Sequence, residues 1–162
     1  MMWVVVAVAL ALLGSLFWIL PSPKQRAQML LREQARQLGL QVRMQKIQFP
    51  RAPGQLEDAP ALKITYCLPS VQKQDKAVEI SHWQLSRGQG SYPFNAAWVW
   101  LAATAYPEHK RAQLEEWLAE LPLSCLAVWK TPLEYGVLWQ EKDEQELRHL
   151  QQSLQAALKL HL

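Results

Sequence analysis

Residues 40–49, LQVRMQKIQF, and residues 61–68, ALKITYCL, decide the fold, because apolar side chains recur at every second position in both. In the first stretch the alternation shifts by one residue near Lys46, as it does at a β-bulge. Between the two stretches, residues 50–60 (PRAPGQLEDAP) contain three prolines and one glycine, which is the composition of a loop. The sequence therefore predicts two strands joined by a long connection.

The same criteria predict the other elements of the chain. Further strands are predicted over residues 77–85, 125–129 and 135–140, and helices over residues 23–38, 96–103, 107–121 and 143–162. Trp98 and Trp100 are also spaced as neighbours on one face of a strand, but the alanine content of their segment favours a helix. The expected fold class is α+β: a mainly antiparallel sheet of about five strands packed with two or three helices, after an N-terminal transmembrane helix.

The first twenty residues, MMWVVVAVALALLGSLFWIL, carry no charge and are apolar except at Gly14 and Ser15. At about 1.5 Å per residue, a helix of this length spans roughly 30 Å, the thickness of the hydrocarbon core of a bilayer. Basic residues follow the segment and none precedes it, which places the N-terminus outside by the positive-inside rule. The sequence predicts a retained, single-pass anchor in the bacterial inner membrane, with the C-terminal domain in the cytoplasm.

A basic helix is predicted directly after this segment. Ser22 and Pro23 have the pattern of an N-cap and a first helical residue, and Gly39 marks the end. The basic residues that are candidates for contact with anionic lipid headgroups are Lys24, Arg26, Arg32 and Arg36. In the alternative, the apolar face of the helix packs on the domain that follows and the arginines only set the topology. The predicted organisation is an anchor (1–20), a basic amphipathic juxtamembrane helix (21–39) and a cytoplasmic α+β domain (40–162).

Composition and charge exclude several classes of protein. The chain has 162 residues, half of them apolar, and 17 Lys and Arg against 14 Asp and Glu. Six basic residues and one acid lie between Lys24 and Lys46, so the rest of the chain is slightly acidic. A nucleic-acid-binding protein carries its basic surface on the folded domain, whereas here the basic excess lies between Lys24 and Lys46. No nucleic-acid partner is therefore expected. Two cysteines exclude a disulfide-dense secreted scaffold.

No residue pattern indicates catalysis or a bound cofactor. The four histidines lack the spacing of a zinc pair, and Glu146 with His149 forms a single Glu-x-x-His where a di-iron bundle needs two. Cys67 and Cys125 lie in separate predicted strands, and we expect them to be reduced core residues. The sequence thus predicts no catalytic residue, no metal site and no cofactor, although a site built from distant residues leaves no local motif.

Tryptophan is abundant, with eight residues in the chain. Its side chain fills cores well and is also enriched at the centres of protein interfaces. We take Trp98 and Trp100 as the candidates for docking on a partner, with burial in the core as the alternative.

Residues 17–42, FWILPSPKQRAQMLLREQARQLGLQV, join an apolar end of the predicted span to a proline and a basic segment. This junction resembles the start of the YajC-type accessory subunits of the bacterial preprotein translocase, in which a single span precedes a Pro-Gln-basic segment and a β-rich domain. The resemblance implies attachment to the Sec or YidC machinery. It does not extend beyond Val42.

These observations favour a non-catalytic accessory protein of the inner membrane whose cytoplasmic domain docks on a larger membrane protein complex, related to protein translocation. The alternative is a membrane-tethered enzyme, or a domain that binds a small ligand or lipid. A deep pocket that holds polar residues with shifted pKa values would favour the alternative.

Overall fold

The computed structural model describes residues 2–5, 22–47, 61–70, 82–103 and 106–162. The strands are β1 (Gln41–Ile47), β2 (Ala61–Pro69), β3 (Trp83–Arg87), β4 (Trp98–Ala103), β5 (Cys125–Lys130) and β6 (Glu134–Trp139). The longer helices are α1 (Pro23–Gln37), α2 (Glu108–Glu120) and α3 (Glu144–Leu160), and residues 2–5 form one further helical turn. The fold class is therefore α+β, and the sheet has six strands where the sequence predicts about five.

The six strands form one antiparallel sheet in the order β1-β2-β6-β5-β3-β4, so β1 and β4 are the edge strands. The chain divides into two compact units, residues 1–30 and residues 31–162, and the whole sheet belongs to the second. Strand β1 pairs with β2 from Gln41 to Ile47, whereas β2 pairs with β6 only from Tyr66 to Pro69. The far half of the β1–β2 pair thus extends past the part of β2 that pairs with β6.

The two faces of the sheet carry different cores. The larger cluster combines strand residues such as Tyr66 and Val137 with buried residues of all three helices, among them Leu31, Leu114 and Leu150. The buried residues of the smaller cluster all come from strands: Ile47, Cys67, Ala127, Trp129 and Leu138. The helices of the second unit therefore cover one face, and alternate strand residues point to the other.

The two ends of α1 are set by the residues that the sequence marks. Gln25 donates its backbone N–H to Ser22 Oγ over 3.3 Å, and Ser22 donates its own to Gln25 Oε1 over 2.8 Å, which makes a reciprocal capping box. At the other end Gly39 has a φ of 82°, a left-handed conformation that glycine adopts without strain. This turn lets Leu40 donate its backbone N–H to the Ala35 carbonyl over 2.9 Å and closes the helix.

The prediction of a transmembrane helix over residues 1–20 is wrong as an element of this fold. Residues 2–5 form a single helical turn, and residues 1 and 6–20 lie outside the described residues. In the described part of the chain, no helix is both long enough and apolar enough to cross a bilayer.

The predicted helix over residues 96–103 is also wrong, because these residues turn and then enter β4. The Asn95 Oδ1 accepts the backbone N–H groups of Ala97 and Trp98, each over 2.9 Å, in a tight turn. The next residues pair with β3. The predicted strand over residues 77–85 corresponds to β3, which begins at Trp83, and its residues 77–81 lie outside the described residues.

Candidate functional site

A buried ion pair connects α1 to the segment between β6 and α3. The Arg32 guanidinium donates to both carboxylate oxygens of Glu141, from Nε over 2.7 Å and from Nη2 over 2.8 Å. The Tyr66 hydroxyl donates to the same carboxylate over 2.7 Å. The Glu141 side chain is 7% exposed and the Arg32 side chain 28%, so the pair is largely withdrawn from water. Three donors therefore satisfy this one carboxylate.

Glu141 holds this position in a strained backbone conformation. Its φ is 53°, in the left-handed region that residues with a Cβ seldom occupy. The hydrogen bond to Glu141 raises the pKa of Arg32, and burial together with the same carboxylate raises the pKa of Tyr66. Both donors thus keep their protons over the physiological range. The hydrogen-bonding groups of the cluster are thus satisfied by one another.

A second carboxylate lies on α3 and is also satisfied within the chain. Glu146 Oε2 accepts the Trp139 indole N–H over 2.8 Å and the hydroxyl of Ser124, and its other oxygen lies 3.6 Å from Lys142 Nζ. Burial alone raises the pKa of Glu146, but the hydrogen bonds from Ser124 and Trp139 outweigh it, so the pKa is lowered. The ionised carboxylate is therefore the state that this site stabilises.

The two cysteines lie on opposite faces of the sheet, Cys125 in the larger core cluster and Cys67 in the smaller. Both are buried as free thiols. Burial raises the pKa of Cys67 to about 12, with a further contribution from the nearby Glu134 carboxylate, and burial also raises the pKa of Cys125. A thiol is nucleophilic only as the thiolate, so neither is reactive at neutral pH.

The four basic residues predicted to contact lipid headgroups have different surroundings. Lys24 and Arg26 are exposed in the first unit. Arg36 is exposed beside Glu33, with 3.4 Å between Nη1 and Oε2. Arg32 differs from the other three because its guanidinium pairs with the Glu141 carboxylate. The apolar face of the helix explains the difference, because Leu31 and Ala35 are buried in the core and bring Arg32 to the rim of the domain.

Neither predicted docking tryptophan is freely exposed. Trp98 is buried, with the Arg87 guanidinium carbon 4.7 Å from its ring centroid. Trp100 is half-buried, and its ring centroid lies 5.2 Å from that of Phe94 and 5.7 Å from that of Tyr106. Both rings point to the helix-covered face, since residues two apart in a strand share a face.

An exposed apolar surface lies instead on the far half of the β1–β2 pair, which we call the ribbon (residues 43–47 and 61–65). Met44 is 63% exposed and Leu62 is 54% exposed. The pairing sets Met44 opposite Ile64 and Lys46 opposite Leu62, so these four side chains share one face. Ribbon residues have no strand partner besides each other within the described ranges.

The charges on the ribbon are all of one sign. Strands β1 and β2 contain Arg43, Lys46 and Lys63 and no acidic residue. Arg43 is held on the opposite face by Glu134, with 3.0 Å between Nη1 and Oε2, whereas Lys46 and Lys63 are exposed. The sequence did not single out this surface, because alternation reveals a strand but not whether the strand lies at an edge.

Within the described ranges, no three His, Cys, Asp or Glu side chains come together as a metal site requires. No protein-family model, curated protein or solved structure matches the chain. The resemblance to YajC-type subunits therefore stays a prediction.

Proposed function

We propose that this chain is a non-catalytic docking protein that binds an extended, acidic segment of a partner protein along the outer edge of β1. The observation that carries the proposal is the ribbon. It combines a seven-residue edge strand, exposed Met44 and Leu62, and the exposed basic side chains of Lys46 and Lys63. An added strand gains main-chain hydrogen bonds from such an edge, and side chains that alternate along it give specificity.

The positive charge of the ribbon indicates which kind of partner segment can bind there. Lys46 and Lys63 repel a second copy of the same strands, because like charges opposite each other destabilise strand pairing. Acidic side chains on an incoming strand relieve that repulsion, and apolar ones at alternate positions cover Met44 and Leu62. A partner segment with alternating apolar and acidic residues fits this surface.

The internal networks support a non-catalytic role. Glu141 accepts hydrogen bonds from Arg32 and Tyr66. Glu146 accepts them from Ser124 and Trp139. These contacts fix the positions of the helices on the sheet, which is the rigidity that a docking platform needs.

Photo-cross-linking in the cells that make the protein locates the partner segment. We would replace Met44 with p-benzoylphenylalanine and use the same replacement at Gln152, which is exposed on α3, as the matched control. The proposal expects cross-links from position 44 to one acidic, extended segment and none to that segment from position 152. Equal cross-linking from both positions would refute it.

A synthetic peptide with the cross-linked sequence then tests the chemistry against the full chain by fluorescence anisotropy. Lys46→Glu should weaken binding by about 1 kcal/mol, or fivefold, because it turns an attraction at the rim into a repulsion. Lys159→Glu, a charge reversal at an exposed site on α3, should leave the affinity unchanged. If the two reversals have the same effect, net charge and not the ribbon explains the binding.

A further inference from the structure

The first unit exposes its apolar side chains instead of burying them. The structure describes residues 2–5 and 22–30 of this unit. Each large apolar side chain in these two ranges is at least 60% exposed, and they are Met2, Trp3, Val4, Val5, Met29 and Leu30. A single exposed apolar residue is ordinary in a folded protein, whereas a group of six indicates a surface that takes part in binding.

The charge of the first unit is positive. Residues 1–30 contain Lys24 and Arg26 and no Asp or Glu, so all 14 acidic residues of the chain lie in the second unit. The sequence between the two described ranges, residues 6–21, is uncharged. The partner of this unit is therefore expected to combine an apolar region with negative charge.

The start of α1 places basic and apolar side chains together. Arg26, Met29 and Leu30 are three and four positions apart, so they lie on the same side of the helix. Lys24 is exposed in the first turn of α1. The aliphatic stem of a lysine or arginine lets its charge reach a polar layer while neighbouring apolar side chains enter an apolar one.

A lipid bilayer matches this surface better than a groove on a protein does. Specific protein interfaces pair the polar groups of the two partners by hydrogen bonds. Here the side chains of Ser22 and Gln25 are bonded to the backbone of the same helix turn, so the unit offers a partner mainly two charges and apolar surface. Basic residues beside aliphatic and tryptophan side chains are typical of segments that lie in the interface of an anionic membrane.

We propose that the first unit binds the surface of an anionic lipid bilayer. Lys24 and Arg26 contact the headgroups, and Met29, Leu30 and the side chains of residues 2–5 enter the boundary between headgroups and acyl chains. The ribbon belongs to the second unit and has no part in this contact. Vesicles without any partner peptide therefore test the proposal separately from the proposed function.

A fluorophore that responds to polarity locates the contact in the full chain. We would attach nitrobenzofurazan to Leu30→Cys and, as the control, to Leu123→Cys in the second unit, where the native leucine is 79% exposed. The native cysteines are buried free thiols, and unsubstituted chain treated in parallel measures any reaction at them. With vesicles of equal parts phosphatidylcholine and phosphatidylglycerol, emission should rise severalfold at position 30 and stay constant at position 123.

Unlabelled variants test the two chemical components by vesicle sedimentation. Met29→Ser should weaken binding at least tenfold, because it removes a buried apolar side chain, whereas Met44→Ser, at a methionine of similar exposure on the ribbon, should have no effect. Lys24→Gln should weaken binding about fivefold, the contribution of one basic residue near an anionic surface, and Lys159→Gln on α3 should not.

The absence of a response at position 30, or equal responses at positions 30 and 123, overturns the proposal. Equal losses in Met29→Ser and Met44→Ser overturn it as well. So does equal affinity for these vesicles and for vesicles of phosphatidylcholine alone, because the two cations would then contribute nothing. All the substituted side chains are exposed, so the variants are expected to fold like the wild type.

Discussion

Replacing Arg32 with Met separates a structural role of the basic helix from a role at a membrane surface. Arg32 and Arg36 lie one turn apart on α1 and both were candidates for lipid contact, but only Arg32 reaches a buried carboxylate. Methionine keeps the length and the helix propensity of the side chain. Arg36→Met is therefore a control in the same helix with the same change of charge.

The expected losses differ about tenfold. Arg32→Met leaves the Glu141 carboxylate, 7% exposed, without its ionic partner. Breaking a buried pair costs about 3–5 kcal/mol, and the 28% exposure of Arg32 argues for the lower end, about 3 kcal/mol. Arg36 is 63% exposed, with 3.4 Å to Glu33, and such surface pairs contribute about 0.3 kcal/mol. At about 4 °C per kcal/mol for a domain of this size, the midpoints should fall by about 12 °C and about 1 °C.

Urea titration of the full chain at pH 7, followed by tryptophan fluorescence, measures both free energies of unfolding. Equal losses in the two variants would refute the reasoning, because the pair with Glu141 would then contribute no more than a surface contact. The double variant Arg32→Met with Glu141→Met should recover most of the loss, since it removes the unpaired charge together with its partner. Failure to recover would mean that the arginine acts through packing.

Three further predictions concern single contacts. A Cβ at position 136 would overlap the Trp129 indole. Gly136→Ala should therefore lower the free energy of unfolding, measured by urea titration, by about 2 kcal/mol. The same substitution in a Trp129→Ala background should lower it much less. Hydrogen bonds lower the pKa of Glu146 below 4.5, so its stabilisation is present above that pH and is lost as the pH falls below it. Ser124→Ala should therefore reduce the free energy of unfolding more at pH 7 than at pH 3, and an equal reduction would contradict this. Burial lowers the pKa of Lys130 from 10.5 to about 8. The free energy of unfolding of the wild type, relative to that of Lys130→Met, should therefore rise between pH 8 and pH 10. If this difference does not change with pH, the shift is excluded.

The sequence predicts those elements whose apolar period is regular and whose ends are marked. Strands β1 and β2 follow from alternation alone, and α3 follows from leucines at helical steps after Asp143, whose Oδ1 caps the helix by accepting the Glu146 N–H over 2.8 Å. Strand β4 was missed because alanine favours helices locally, whereas pairing with β3 and burial of Trp98 favour a strand. Tertiary contacts outweighed a weak local preference.

The candidate sites could not be predicted, because each depends on residues that are far apart in the chain. Arg32 and Glu141 are separated by 109 positions, and neither carries a local motif. The exposure of Met44 depends on β1 being an edge strand, which is a property of the strand order.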